Sequence, residues 1–282
     1  MPATTVQPST VPGKLVYFSS PKDGSRPFVR VNLDPSSTES RFNYIAVEHT
    51  LPIEDVRGKE HLYTLDTAGF QYFQHKAKHT SFSNDEEIER EYYPESTELL
   101  KKLTGASKVV LFDHTIRRRR PGEVDTDVTK RQPVTQVHVD QTTQSAINRV
   151  HRHLPESEAP ELVKKRFQIL NLWRPISKPA DDWPLTLCDF RSINRAEDLV
   201  PIALIYPDRE GETYGVKHNP GHKWKYLRGM TPEEIVLIKC FDSIQDGSVS
   251  VLTPHTAFED PSTPEGSPLR ESIELRALVF YD

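Results

Sequence analysis

The sequence predicts an α+β protein built on a jelly roll, a double-stranded β-helix core with flanking helices. Three observations carry this reading. Short β-branched and apolar runs, separated by turn residues, crowd the second half of the chain, as in a β-sandwich or jelly roll. Helix-like segments come earlier, so strands and helices do not alternate as in a parallel βαβ protein. Proline is frequent, 23 of 282 residues, and proline interrupts long helices.

The elements follow in order. Residues 1–13, rich in Pro, Ser and Thr, read as a flexible extension, and 14–282 as a single domain. KLVYFSS (14–20) reads as the first strand. Residues 83–105 read as two helical pieces broken at Pro94 and closed by Gly105. SKVVLFDHTIR (107–117) is a strand by its β-branched content. The run Arg117 to Arg120 reads as a solvated loop, with anion or import-receptor binding as the rarer alternative. VTQVHVD is strand-like, and QTTQSAINRVHRHLP and ESEAPELVKKRF are helical. QILNLWRPI (168–176), LVPIALIYP (199–207), ETYGVKH (212–218) and HKWKYLRG (222–229) are strands, the last two joined by the turn Asn219-Pro220-Gly221. EEIVLIKCFDS (233–243), GSVSVLTPHTAF (247–258) and RESIELRALVFYD (270–282) complete the set.

Composition narrows the function. Hydrophobic residues are 35% and charged residues 27%, enough apolar content for a core, and the net charge of −5 argues against nucleic acid. No apolar run is long enough to span a bilayer, and no basic segment precedes an apolar one at the start. Two cysteines, Cys188 and Cys240, make no disulfide framework, so a cytoplasmic setting is expected. The expected partner is a small molecule rather than a nucleic acid or membrane, and a homodimer is compatible with this.

His138 and Asp140 are two apart in a strand-like run, so they share a face. Alone, the pair is equally a surface hydrogen bond. Two imidazoles and a carboxylate, however, hold non-haem iron(II) and leave positions open for co-substrate and oxygen. The third ligand expected is His255, at the end of an apolar strand, a long gap that a jelly roll closes. Arg270 and Ser272 follow on the next strand and share a face. Arginine pairs bidentately with carboxylates, so these two fit the distal carboxylate of 2-oxoglutarate. Arg276 lies at an even offset from Arg270 and competes for that role, or serves the substrate.

Other candidates are set against plainer readings. Asn171, Trp173 and Arg174 form a pocket wall or a packed core, with Arg174 pairing a substrate carboxylate in the first case. Gln144 and Asn148 are one helical turn apart and face substrate or solvent. Trp224 lines a pocket or packs. Arg174, Lys225 and Arg276 together hint at a carboxylate-bearing substrate. Asp113 and His114 point opposite ways and read as structural, His75 and His79 as a solvated or lid-like segment, and His151 to His153 as a surface turn. Cys188 reads as buried and inert.

HVDQTTQSAINRV, NLWRPI, PLTLCDFRSI, KWKYLRGMTPEEIVLIKCFDS and PHTAFEDP…PLRESIELRALVF resemble a fungal and bacterial oxygenase family over roughly residues 40–282. That family includes the gibberellin desaturase-like proteins, the AsaB-type hydroxylase/desaturases and the hydroxylating component of cephamycin 7α-methoxylation. The resemblance implies an iron(II)- and 2-oxoglutarate-dependent dioxygenase using O2 to oxidise a small molecule in secondary metabolism. It implies hydroxylation, desaturation or ring closure, with His138, Asp140 and His255 as the iron triad and Arg270 in the Arg-x-Ser pattern of penicillin-pathway oxygenases. The alternatives left by the residues are a jelly-roll metalloenzyme without 2-oxoglutarate and a non-catalytic jelly-roll binding protein.

Overall fold

The structure, a computed structural model, describes residues 9–34, 36–123 and 130–282. Its strands, in chain order, are β1 (Thr10–Ser19), β2 (Phe28–Arg30), β3 (Ile45–Asp55), β4 (Phe70–Gln74), β5 (Lys108–Arg118), β6 (His138–Val139), β7 (Phe167–Pro175), β8 (Leu185–Cys188), β9 (Leu199–Ile205), β10 (Glu210–Val216), β11 (Trp224–Tyr226), β12 (Glu234–Asp242), β13 (His255–Ala257) and β14 (Glu271–Phe280). They form two sheets. The larger runs β1-β3-β11-β8-β13-β6-β10-β9-β2 and the smaller β4-β12-β7-β14-β5. The curled pair is the jelly roll that the strand pattern predicts.

Helices flank the smaller sheet and one edge of the larger. α1 (Asp85–Glu87) runs through a π-turn into α2 (Tyr93–Thr104). Pro94 sits in the first turn of α2, where its missing N–H costs nothing, and Gly105 closes it in the left-handed conformation (φ 73°). α3 (Thr143–His153) starts on Thr142, whose Oγ1 accepts from the Ser145 N–H. α4 (Ala159–Leu162) and α5 (Arg195–Asp198) are single turns.

Alternation along two central strands separates site from core. In β7, Leu170 and Leu172 join an apolar cluster with Ile88, Tyr92 and Leu100 of the helices, while Ile169 and Trp173 join a second cluster between the sheets. In β14, Ile273, Leu275, Ala277 and Val279 pack on the helix side and Leu278 and Phe280 between the sheets. Ser272 and Glu274, both buried, and the half-buried Arg276 therefore also face inward, a polar stretch between two sheets. Arg276 lies opposite Asn171, and Glu274 opposite Trp173.

Several expectations are corrected. β1 begins at Thr10 rather than residue 14, and Val11 is 2% exposed, so residues 10–13 belong to the sheet; residues 1–8 of the expected extension lie outside the described residues. β3 is a long strand that was not expected. It carries Pro52, which lies directly opposite Pro12 of β1, confining two missing donors to one rung. β2, β4 and β8 are short and also went unseen. The run 247–258 is strand only at 255–257; Val251 and Leu252 are buried without pairing. The run ESEAPELVKKRF yields only the four residues of α4. In the segment expected to be solvated or lid-like, His79 is buried, with its Nδ1 3.1 Å from Glu91 Oε2. His151 to His153 end α3 rather than forming a turn. The arginine run is not a solvated loop: Arg117 donates to Gln132 O (2.9 Å), Arg118 to Glu271 (3.0 Å) and Arg119 to Asp182 (2.5 Å).

Candidate metal centre

His138 and Asp140 come from β6 and the residue just past it, and His255 opens β13. The two strands are neighbours, and His255 pairs directly with His138. The three side chains offer ligand atoms that all lie within 4.8 Å of one another, the only such cluster among the described residues. His138 Nε2 stands 3.2 Å and His255 Nε2 3.8 Å from Asp140 Oδ1.

Each ligand atom is aimed by a second contact. Nδ1 of His138 lies 2.8 Å from the Gln136 carbonyl, and Nδ1 of His255 lies 3.0 Å from the Thr253 carbonyl. A carbonyl accepts only, so both Nδ1 atoms carry the proton and both Nε2 lone pairs face Asp140 Oδ1. The other Asp140 oxygen, Oδ2, accepts from Asn171 Nδ2 at 2.8 Å and from Arg276 Nε at 3.0 Å. Burial pushes the Asp140 carboxyl up, but the charge of Arg276 overrides it and holds the carboxyl well below its usual range. Burial, with His138 second, pushes His255 down, so it is neutral and able to ligate. Cys240, 4.0 Å from Asp140 Oδ2, is pushed far up by burial and then by that carboxylate, and stays a thiol.

Arg276 is thus tied up and not available to substrate or co-substrate. Besides Asp140 it donates to Asp113 (3.1 Å), Thr115 (3.1 Å) and Glu274 (2.6 Å). Arg270 is different. It is 3% exposed, its Nη1 donates to the Trp183 carbonyl at 2.6 Å, and its Nε has no partner among the described residues. The guanidinium carbon lies 5.4 Å over the Trp173 ring. Burial, then the like charge of Arg117, pushes it down to about 9. Ser272 Oγ is also buried without a partner. Arg270 lines a small cavity together with His138, His255, Trp173, Glu274 and Arg276, and Ser272 lies two residues from Arg270 and from Glu274 in β14. A buried guanidinium with a donor to spare, in one cavity with the two imidazoles, fits the carboxylate of a bound acid.

The remaining candidates divide. Asn171 and Trp173 face the site. Arg174, next in β7, points to the opposite face, where it donates to the His75 and Pro232 carbonyls and lies over the Tyr92 ring. Trp224 is 1% exposed and donates Nε1 to Tyr17 OH at 2.8 Å, inside an apolar cluster away from the triad. Lys225 is paired with Glu54. Gln144 and Asn148 line a cavity of about 340 Å3 that also touches Asp140, and Gln144 donates to Asn148 at 3.0 Å. Cys188 is fully buried, which pushes its thiol up to about 12. The sequence reading missed Glu274 and the Asp182–Trp183 pair. Glu274 was signalled by its even offset from Arg270; nothing local signalled Trp183, whose φ of 46° turns its carbonyl onto Arg270.

Comparison with known proteins agrees with this geometry. A family model described as an oxidoreductase/YMDC permease-like domain matches residues 15–280. Among the described residues no helix is long and apolar enough to cross a membrane. The chain is 38% identical to the hydroxylase/desaturase CTB9 of Cercospora beticola, over 83% of this chain and 76% of that one. It is 34% identical to the hydroxylase/desaturase efuI of Hormonema carpetanum, over 98% and 97%. It superposes on the iron and alpha-ketoglutarate-dependent endoperoxidase NvfI with a TM-score of 0.85 at 27% identity, covering 98% of this chain and 99% of that one. The chain therefore belongs to this oxidoreductase family, as an iron(II)- and 2-oxoglutarate-dependent dioxygenase of the hydroxylase/desaturase kind that acts on small molecules of secondary metabolism.

Proposed function

We propose that His138, Asp140 and His255 hold the iron(II), and that Arg270 with Ser272 holds the distal carboxylate of 2-oxoglutarate. The observation that supports this most is the buried Arg270, whose Nε has no partner among the described residues, in one cavity with His138 and His255; Ser272 Oγ, two residues along β14, is a second buried polar atom without a partner among them. The donor set of two imidazoles and a carboxylate suits iron(II) with open positions. When bound, iron with 2-oxoglutarate and O2 supplies the oxidising power, as oxidative decarboxylation to succinate and CO2 drives removal of hydrogen from a substrate C–H.

The chain's own residues do the rest. The Gln136 and Thr253 carbonyls lock the imidazole tautomers, and Asn171 and Arg276 fix which Asp140 oxygen faces the metal. Arg276 keeps that carboxylate ionised although it is buried. Trp173 walls the co-substrate cavity and excludes water, so charge pairs inside it are stronger than in solvent. Gln144 and Asn148 stand where substrate approaches. The chain forms one oxygenase domain that takes in β1 from Thr10 and runs to residue 282. The two buried thiols support a cytoplasmic setting, and a homodimer remains compatible with this reading.

Anaerobic loading with iron(II) followed by metal analysis tests the core of this. One iron per chain in the wild type and a large loss in His255→Ala are expected. Absence of stoichiometric iron in the wild type would end the assignment. With a substrate panel read by mass, a gain of about sixteen marks hydroxylation, and a loss of about two marks desaturation or ring closure.

A further inference from the structure

The three cations that hinted at a carboxylate substrate, Arg174, Lys225 and Arg276, all have protein partners. One cation near the metal ligands does not. Arg149 of α3 has no hydrogen bond or ion pair among the described residues; its guanidinium carbon only lies 5.1 Å over the Phe112 ring. It lines the cavity of about 340 Å3 whose wall includes Asp140, together with Gln144, Asn148, Arg152 and Tyr206. Residues 144, 148, 149 and 152 fall on one face of α3, so the helix presents its polar side to the cavity.

The groups around Arg149 leave its charge unanswered. Asp113 is the nearby carboxylate, and it already accepts from Arg276 at 3.1 Å. Arg276 and Arg152 add like charge. Glu210 and Glu212 at the cavity rim are engaged by Arg26 at 2.7 and 3.0 Å, and Glu212 also accepts from Thr142 at 2.8 Å. Arg209 stacks on Tyr206 and pairs with Asp208. Burial pushes the Arg149 guanidinium down, the mark of a cation lacking its counter-ion. A half-buried arginine costs free energy unless an anion joins it.

We propose that this cavity takes the substrate as an organic acid, its carboxylate held by the fork of Arg149 with Arg152 at the mouth. The acid's carbon skeleton then lies beside Asp140. Asn148 Nδ2 and Gln144 Oε1, left over from their mutual hydrogen bond, supply neutral polar contacts next to the carboxylate. This rests on the oxygenase reading above and names the substrate class of that site.

The full chain, loaded with Mn(II) in place of iron and saturated with 2-oxoglutarate, is titrated with benzoate and with benzamide, its neutral isostere. Mn(II)-induced relaxation of the ring protons is read by NMR. Benzoate is expected to bind about 10-fold tighter than benzamide, the scale of one charge-assisted pair. Arg149→Gln brings benzoate down to the level of benzamide, and Arg149→Lys restores part of the difference. Arg152→Gln, at an exposed position that does not endanger the fold, lowers the preference about threefold. Mn(II) and 2-oxoglutarate binding stay unchanged in all three variants. A preference that survives Arg149→Gln, equal binding of the two probes by the wild type, or weakened 2-oxoglutarate binding in Arg149→Gln would overturn the proposal. Failure of the oxygenase reading shows separately, as wild-type chain that does not bind 2-oxoglutarate in a Mn(II)-dependent way.

Discussion

Arg276 and Asp140, 136 residues apart in sequence, meet through one hydrogen bond, Nε to Oδ2 at 3.0 Å. The contact ties the middle of β14 to the end of β6 and so joins the two sheets at the metal ligands. It divides the carboxylate's work, one oxygen for the protein and one for the ligand cluster.

Arg276→Ala leaves Asp140 and Glu274 buried without their cation. Removing one partner of such a network costs about 3–5 kcal/mol, and loss of a ligand's supporting contact costs about 10- to 100-fold in metal affinity. Urea unfolding and metal titration measure the two effects. Asn171→Ala, which removes the other donor to Oδ2, is expected to cost about 1–3 kcal/mol. Unaltered metal affinity in Arg276→Ala would contradict this account of how Asp140 is oriented.

Arg270→Ala is expected to raise the KM for 2-oxoglutarate strongly, by about 30-fold or more, since a buried charge-assisted pair is worth about 2–5 kcal/mol. Arg270→Lys should recover little of it, because a point charge cannot keep both the Trp183 carbonyl and a bidentate carboxylate. Ser272→Ala, losing one neutral hydrogen bond, should raise KM by about fivefold. Succinate release against 2-oxoglutarate concentration reads all three. Unchanged turnover in Arg270→Ala sinks the assignment.

Trp224→Ala is expected to behave as a core variant. The indole is buried among Val11, Ile53 and Tyr226 and donates to Tyr17, so its removal should cost about 3–5 kcal/mol. In the fraction that stays folded, KM for 2-oxoglutarate should not move. A selective KM change would restore Trp224 to the pocket.

Stability of the metal-free protein should fall as pH drops from about 7 to 5. Burial pushes His222 down, although Asp198 pulls the other way, and burial likewise pushes down His75 and His153. Such a histidine stays neutral when folded but takes up a proton on unfolding once pH passes below about 6.5. The unfolded state then binds more protons, so stability is full above that pH and is lost below it. Urea midpoints at pH 7.5 and 5.5 check the direction; a higher midpoint at 5.5 would reverse it.

The sequence brings the candidate triad His138, Asp140 and His255 into view because strand periodicity and a His-x-Asp pair are local signals, and a distal histidine at a strand end completes them. It also shows that Ser272 and Arg276 face one way, since alternation in β14 is regular there. It cannot show what each side chain meets. Arg174 looked like a wall of the pocket because it adjoins Trp173, but in a strand neighbours face opposite ways, and it lies on the helix side. Arg276 looked free because Asp140 reaches it from the other sheet and Asp113 from the neighbouring strand β5, while Glu274, two residues away on β14, was not weighed as its partner. Arg149 drew no notice for the converse reason: an arginine in a polar helix reads as solvated unless its surroundings are known. The short strands β2 and β8 lack enough residues to show a period, and β3 was hidden by Pro52 within it.

The order of the smaller sheet has a consequence for how the chain matures. β14, the last strand described, sits between β7 and β5 rather than at an edge, and it carries Ser272, Glu274 and Arg276. During synthesis β5 and β7 emerge long before the strand that must fill the gap between them. Until then Asp140 lacks Arg276, and the inner faces of β5 and β7 lack their shared neighbour. With the ligand set proposed above, metal capture is therefore a late event that waits for the end of β14. The nascent chain passes through a stage with two exposed inner strand edges, the point at which a chaperone is most needed and at which mispairing is most costly.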